Sequence, residues 1–204
     1  MNVENKEKDN KESIKEIEKA ILDLSIKICK RGEGGMFILG EDLNDFSFLV
    51  NQDFNRFNIL DNPKTAESLA LQDGAVWIKN NGELIGYGIM MTKPIPVLNK
   101  GTRHASAVSA SSQNGNKVFL ISQEDKKIKI FKQGEIIMQL DVLEEGVEKN
   151  TGNAINILES VGAGAGATIL AGMVFPAVAI AVIPGIFLFG SSHFIIKTLV
   201  NKGK

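Results

Sequence analysis

Gln72-Asp73-Gly74-Ala75-Val76-Trp77-Ile78-Lys79-Asn80-Asn81-Gly82-Glu83-Leu84-Ile85-Gly86-Tyr87-Gly88-Ile89-Met90-Met91 is the stretch whose reading decides the fold. Val76, Trp77 and Ile78 are strand formers, and Leu84, Ile85, Tyr87 and Ile89 carry a returning strand over residues 83–91. Asn80-Asn81-Gly82 joins them, and Asn-Gly between apolar runs is the strongest short-range hairpin signal. Asp73 therefore stands at the mouth of a strand, just outside the hydrophobic run.

Downstream, Lys93-Pro94-Ile95-Pro96 imposes an extended link, because each proline disfavours helix at the residue before it. Gly101-Thr102 then opens a helix expected over residues 103–112, with Ala105, Ala107, Val108 and Ala110 as its packing side chains and Thr102 as its N-cap. A helix start presents unpaired N–H groups, and Arg103 adds a planar fork that suits phosphate oxygens. An anion site beside a carboxylate is the chemistry these two segments describe.

Upstream, Ile14, Ile17, Ile21, Leu24 and Ile28 recur at helical steps, predicting an amphipathic helix over residues 13–30 that covers a core. Three glycines in residues 31–35 stop it. Residues 36–39 and 45–50 read as strands, and Asn62-Pro63 as the cap of a helix over 64–71 that delivers the chain to Asp73. Strands over 117–121, 127–131 and 135–140 follow, the last two turning at Gln133-Gly134, with Lys127 and Lys129 alternating against Ile128 and Ile130. Strands interleaved with helices predict an α/β (α+β) class, with a mixed β-sheet flanked by helices.

A net charge of −1 and a pI near 6.2 show no basic footprint for nucleic acid. The single cysteine, Cys29, excludes an intrachain disulfide and a cysteine zinc cluster, and its helical pattern makes it a buried thiol. Residues 1–12 are nearly all Asn, Lys, Glu and Asp, as in a solvated tail with no signal peptide. Beyond a charged link at 144–149 the composition changes, and residues 160–196 contain no Asp, Glu, Lys or Arg. A membrane helix needs ~20 such residues. As one helix the run would extend ~55 Å, and Pro176 and Pro184-Gly185 interrupt it. Gly162, Gly164, Gly166 and Gly172 offer small surfaces for helix approach, and Lys197, Lys202 and Lys204 favour a cytoplasmic end. The expected domains are thus a tail at 1–12, a soluble domain at 13–148, and an appended membrane helix or helical hairpin at 149–204. The Gly-Ala repeat at 162–168 lacks the lysine of a phosphate loop, and His193 reads as an interfacial residue.

Gln72-Asp73-Gly74-Ala75, then Gly101-Thr102-Arg103-His104 before a small-residue helix, then a strand ending at Ser122, resembles the diadenylate cyclase domain. Residues 32–41 (GEGGMFILGE) and 59–63 (ILDNP) resemble its opening, in the manner of archaeal members. The likeness covers about residues 13–141. It departs at Ala105, where the family often has a second arginine after the histidine, and at Ser112-Gln113, where many members have Ser-Glu. The resemblance implies condensation of two ATP into cyclic di-AMP with release of two pyrophosphates. Each 3′-hydroxyl attacks the other nucleotide's α-phosphate, so two domains must face each other as a homodimer or transient oligomer. It implies a divalent metal, Mg²⁺ or Mn²⁺, with Asp73, His104 and Glu124 as candidate ligands. Catalytic roles fall to Asp73, Arg103 and His104, and nucleotide binding to Gly74, Ala75, Gly101, Thr102, Arg103 and Ser122. The expected location is the cell membrane, with lipid held by the C-terminus and the domain on the cytoplasmic side. The alternative is an ATP- or cyclic-di-AMP-binding membrane protein of the same fold with little or no turnover.

Overall fold

The computed structural model describes residues 3–98, 100–162, 180–183 and 186–188. Its elements run α1 (Val3–Lys30), β1 (Gly35–Leu39), β2 (Phe46–Phe48), α2 (Pro63–Ala70), β3 (Ala75–Ile78), β4 (Leu84–Met91), α3 (Thr102–Ser111), β5 (Lys117–Ser122), β6 (Lys127–Lys132), β7 (Glu135–Asp141), a 3₁₀ turn (Val147–Asn150), α4 (Thr151–Gly162), β8 (Ile180–Ile183) and β9 (Ile186–Leu188). The mixed sheet has the order β2-β4-β3-β1-β5-β6-β7-β9-β8. Among the described residues its parallel pair is β1 with β3, in register Phe37↔Val76. Both faces are covered. Phe37, Leu39, Val76, Ile78, Phe119, Ile121, Ile128 and Ile130 pack under α1, α2 and α4, while Met36, Ile38, Ala75, Val118, Leu120 and Phe131 pack under α3. Burial on both sides explains why the central strands read as continuous apolar runs rather than alternating ones.

The hairpins fall where the turn residues put them. Gly82 has φ +85°, and Asn81 accepts the Glu83 N–H through its side chain at 3.0 Å. Gln133 and Gly134 are both left-handed, at φ +54° and +79°. β4 carries one extra residue opposite β3, between the pairs Ala75↔Ile89 and Trp77↔Gly86, and Gly88 in that bulge has φ +62°. The Gln52 amide pairs with both the N–H and the C=O of Tyr87 beside it.

Three expectations are corrected. α1 begins at Val3 rather than Ser13, because the Lys- and Glu-rich opening is made of good helix formers. The N-cap of α3 is Gly101, extended at φ −75° and ψ 174°, so Thr102 is the first helical residue. The expected cap of α2 is in place, with Asn62 at the N-cap, making no side-chain cap bond, and Pro63 at the first helical position. The folded domain does not stop at 148, since Ala154, Ile155 and Leu158 of α4 belong to the core that α1 covers.

Of the charge-free run at 160–196, the described parts are the end of α4 and the β8–β9 pair, which is extended rather than helical and continues the sheet from β7. No helix among the described residues is long and apolar enough to cross a membrane. The rest of the expected membrane segment, with Gly164, Gly166, Gly172 and His193, lies outside the described residues.

Two ion pairs fix the helical layer. Glu18 of α1, fully buried, pairs with Lys117 of β5, and Arg31 at the end of α1 meets Glu67 of α2 at 2.5 Å.

Candidate functional site

Strand directions decide what meets what. β1 and β3 are parallel and begin at the same end of the sheet, and β5, antiparallel to β1 with Gly35↔Ile121, ends there. That edge therefore collects Gly34, Asp73 and Ser122, and α3 begins over it. Arg103 completes the set. A Cβ built on Gly34 would stand 2.6 Å from Arg103 Nη1 and 3.6 Å from Gln123 Cβ, so the missing side chain at 34 is what lets the guanidinium lie there. Arg103 Nη2 is 3.9 Å from Asp73 Oδ1.

Asp73 is held by its neighbour rather than by bonds of its own. Gly74 has φ +97°, and a Cβ there would come within 2.5–2.7 Å of the Gly88 and Ile89 backbone. Only glycine allows β3 to start this close to the β4 bulge. The Asp73 side chain is 94% exposed, and among the described residues it accepts no hydrogen bond, Arg103 being its ionic partner. A carboxylate that served only to form the turn would bond to nearby backbone N–H groups. This one is left open.

The start of α3 is equally accessible. His104 and Ala105 direct their N–H groups to Gly101 O, at 3.0 and 3.3 Å, so the N–H groups of Thr102 and Arg103 lie outside the helix's own bonding. A Cβ on Gly101 would meet nothing within 4 Å. Together these make an electropositive, donor-rich corner opposite an exposed carboxylate.

His104 is elsewhere. Successive helical residues point about 100° apart, so with Arg103 over the sheet edge the imidazole turns toward β6. Its ring lies edge-on to Phe131, centroids 5.4 Å apart, and Nε2 is buried without a hydrogen-bond partner. Burial and then the charges of Lys129 and Lys100 push its pKa down, with Asp125 opposing. Glu124 is exposed in the β5–β6 turn. The expected ligand trio of Asp73, His104 and Glu124 is therefore not assembled: the described residues contain no group of three or more His, Cys, Asp or Glu able to hold a metal ion. One carboxylate is still a fit for Mg²⁺ or Mn²⁺ in the presence of phosphate, since Mg²⁺ keeps several waters and takes one or two carboxylates plus substrate oxygens.

Ser122 ends β5 next to the turn that carries Asp125. That carboxylate accepts from Lys129 Nζ at 2.6 Å. Burial would raise the Asp125 pKa, but the Lys129 and Ser122 hydrogen bonds and the Lys129 and Lys127 charges outweigh it and hold the carboxyl below its ordinary range. Gly34, Asp125 and Lys129 were not singled out by the sequence. Of the departures, Ala105 is buried, whereas Gln113 lies at the far end of α3, where its amide bonds both the N–H and the C=O of Asn44.

Two concavities among the described residues lie away from this edge. One lies between Cys29, Lys126 and residues 142–148, the other between α1 and α4. The Asp73–Arg103 edge is an open surface.

Known proteins resemble this chain in sequence. The family described as DisA bacterial checkpoint controller nucleotide-binding, DAC, matches residues 23–136. The DNA integrity scanning protein DisA of Clostridium acetobutylicum is 30% identical over 113 residues, which is 52% of this chain and only 30% of that protein's length. Among solved structures, a double mutant of DacA from Staphylococcus aureus aligns over 76% of this chain and 97% of its own, with a TM-score of 0.43 and 15% identity. A hypothetical membrane spanning protein from Bacillus cereus aligns over 57% of this chain and 59% of its own, with a TM-score of 0.44 and 17% identity.

Proposed function

The chain belongs to the DAC family, DisA bacterial checkpoint controller nucleotide-binding, and from that premise we propose that it is a diadenylate cyclase, joining two ATP into cyclic di-AMP. The observation that carries this is the exposed Asp73 carboxylate 3.9 Å from Arg103, facing the open start of α3. In each half-reaction a 3′-oxygen forms a bond to the α-phosphorus of the other ATP, the bond from that phosphorus to the β-phosphate bridging oxygen breaks, and pyrophosphate leaves. Arg103 and the N–H groups of Thr102 and Arg103 bind and orient phosphate oxygens. Gly34, Gly74 and Gly101 keep the approach free of side chains, and Ser122 offers a hydroxyl on the same edge. Asp73 sits where it can draw the 3′-hydroxyl proton. Asp73, together with phosphate oxygens, would hold a Mg²⁺ or Mn²⁺ ion, which would screen charge and lower the pKa of that hydroxyl.

One edge can hold one ATP, so two copies meet face to face about a two-fold axis, and the flat, open site suits that use. The charge-free C-terminal segment attaches the protein to the cell membrane through residues other than the β8 and β9 strands, with the domain on the cytoplasmic side, a reading supported by the absence of charge through 160–196. Resistance of the full chain to alkaline extraction from membranes checks this part, and recovery in the soluble fraction ends it.

The test of activity is incubation with ATP and Mg²⁺ or Mn²⁺ and chromatography for cyclic di-AMP, which is expected to form. A binding protein without turnover is the second reading, favoured by Ala105, which supplies no cation. Gln113 lends it no support, because it is a length of helix away from the edge. ATP binding without product would select that reading.

A further inference from the structure

The buried cation beneath α3 has no part in the chemistry above. Lys129 occupies the middle of β6, where the alternation with Ile128 and Ile130 predicts a solvated side chain. It is instead 6% exposed. Its face of the sheet carries Leu120, its cross-strand partner, and lies under α3, beside the His104 ring. Taking an ammonium out of water costs several kcal/mol unless it is paired, so this position is occupied by lysine against the grain of its surroundings. The pair that compensates it is specific. Lys129 Nζ bonds Asp125 at 2.6 Å, and Ser122 lies close enough to Asp125 for its hydroxyl to favour the ionised carboxylate. Asp125 belongs to the exposed turn between β5 and β6, which carries Lys126 at a left-handed φ of +53°. The Lys129–Asp125 bond thus ties the sheet interior to the turn that follows Ser122 at the site edge, and the same turn places Gln123 against Gly34 near Arg103.

We propose that Lys129 is a positioning residue for the nucleotide: it anchors Asp125, which fixes the β5–β6 turn and the Ser122 hydroxyl at the edge where Arg103 and the start of α3 receive phosphate. The inference rests on the ATP reading above. A wholly structural lysine would contribute only to folding. A positioning lysine sets affinity in molecules that are already folded, and it acts as one unit with Asp125.

The experiment is calorimetric titration of the full chain, with Mg²⁺, using 3′-deoxyadenosine triphosphate, which keeps the triphosphate but lacks the attacking hydroxyl. Lys129→Met and Asp125→Asn are each expected to weaken binding about tenfold. The double variant should be no weaker than either single one, as expected for groups acting through one contact. Lys129→Arg, which keeps a cation for Asp125, should stay within about threefold of wild type. Thermal melts of the same samples establish that the titrated protein is folded. Asp125 is 40% exposed, so Asp125→Asn decides the matter even if Lys129→Met does not fold. Folded variants that bind within about twofold of wild type overturn the inference and leave the ATP reading standing. Wild-type protein that does not bind the probe overturns both.

Discussion

Arg103 Nη2 lies 3.9 Å from Asp73 Oδ1, beyond hydrogen-bond range, although the two residues belong to different elements and are 51% and 94% exposed. Exposed pairs at such a separation contribute ~0–1 kcal/mol. The contact therefore aligns the two groups without tying them up, and either can exchange its partner for a ligand.

Asp73→Asn should abolish synthesis of cyclic di-AMP and leave stability within ~0.5 kcal/mol, as for exposed positions without special contacts. The amide keeps the shape but loses the charge. Turnover is read by chromatography and stability by thermal melting. Near-normal turnover would remove Asp73 from the mechanism.

Arg103→Lys should lower activity by well over tenfold, which is more than ~1.4 kcal/mol. Lysine keeps the charge but loses the planar fork, and its single head cannot both lie over Gly34 and face Asp73. A variant within twofold of wild type would show that the guanidinium's geometry is irrelevant.

Gly74→Ala should destabilise the fold by at least ~2 kcal/mol, measured by urea unfolding. The left-handed φ of +97° alone costs ~1–3 kcal/mol for a residue with a side chain, and the added carbon would meet the Gly88 backbone at 2.5 Å. A loss below ~0.5 kcal/mol would mean that β3 can shift away from the bulge.

What the sequence displays and what it conceals divide along physical lines. Asn81-Gly82 and Gln133-Gly134 announce their turns because the conformations they need are local. The isoleucine spacing of α1 announces its buried face, while its first turns are hidden because Lys and Glu serve a solvated tail and an exposed helix equally well. Asp73 and Arg103 are each visible as chemistry, but their meeting depends on β1 and β3 running parallel and on a missing side chain at Gly34. The burial of Lys129 is hidden as well. Alternation predicts the exposed face of a sheet only if no helix covers it, and α3 does. Arg103 and His104, adjacent in sequence, part company because a helix turns them apart.

Glu18→Gln should cost ~3–5 kcal/mol, the range for breaking a buried ion pair from one side. Glu18 is fully buried and its partner Lys117 has a side-chain exposure of 15%, with Lys132 close enough that Lys117 helps to depress its pKa after burial does. Removing the carboxylate leaves neighbouring cations without compensation between α1 and the sheet. Urea midpoints measure the effect, and a loss under ~1 kcal/mol would mean that α1 is held by its apolar face alone.

Acid should destabilise the protein in part through His104. Burial, then Lys129 and Lys100, lowers the His104 pKa in the folded protein, so the native state resists the proton that an unfolded histidine accepts near pH ~6.5. Between the depressed folded value and ~6.5 the unfolded chain binds more protons than the native one. Stability therefore rises with pH through that window, is full above it, and falls as the solution is acidified below ~6.5. His104→Gln removes the group and with it this slope, whatever it does to the absolute melting temperature. Melting curves in metal-free buffer from about pH 8 to about pH 5.5, a range that brackets the ordinary histidine value, should show a steeper acid-side decline for the wild type than for the variant. His193 is present in both proteins and cancels in the comparison. Parallel declines would show that the imidazole takes up its proton as easily in the folded protein as in water, and that Lys129 and Lys100 exert no effective field on it.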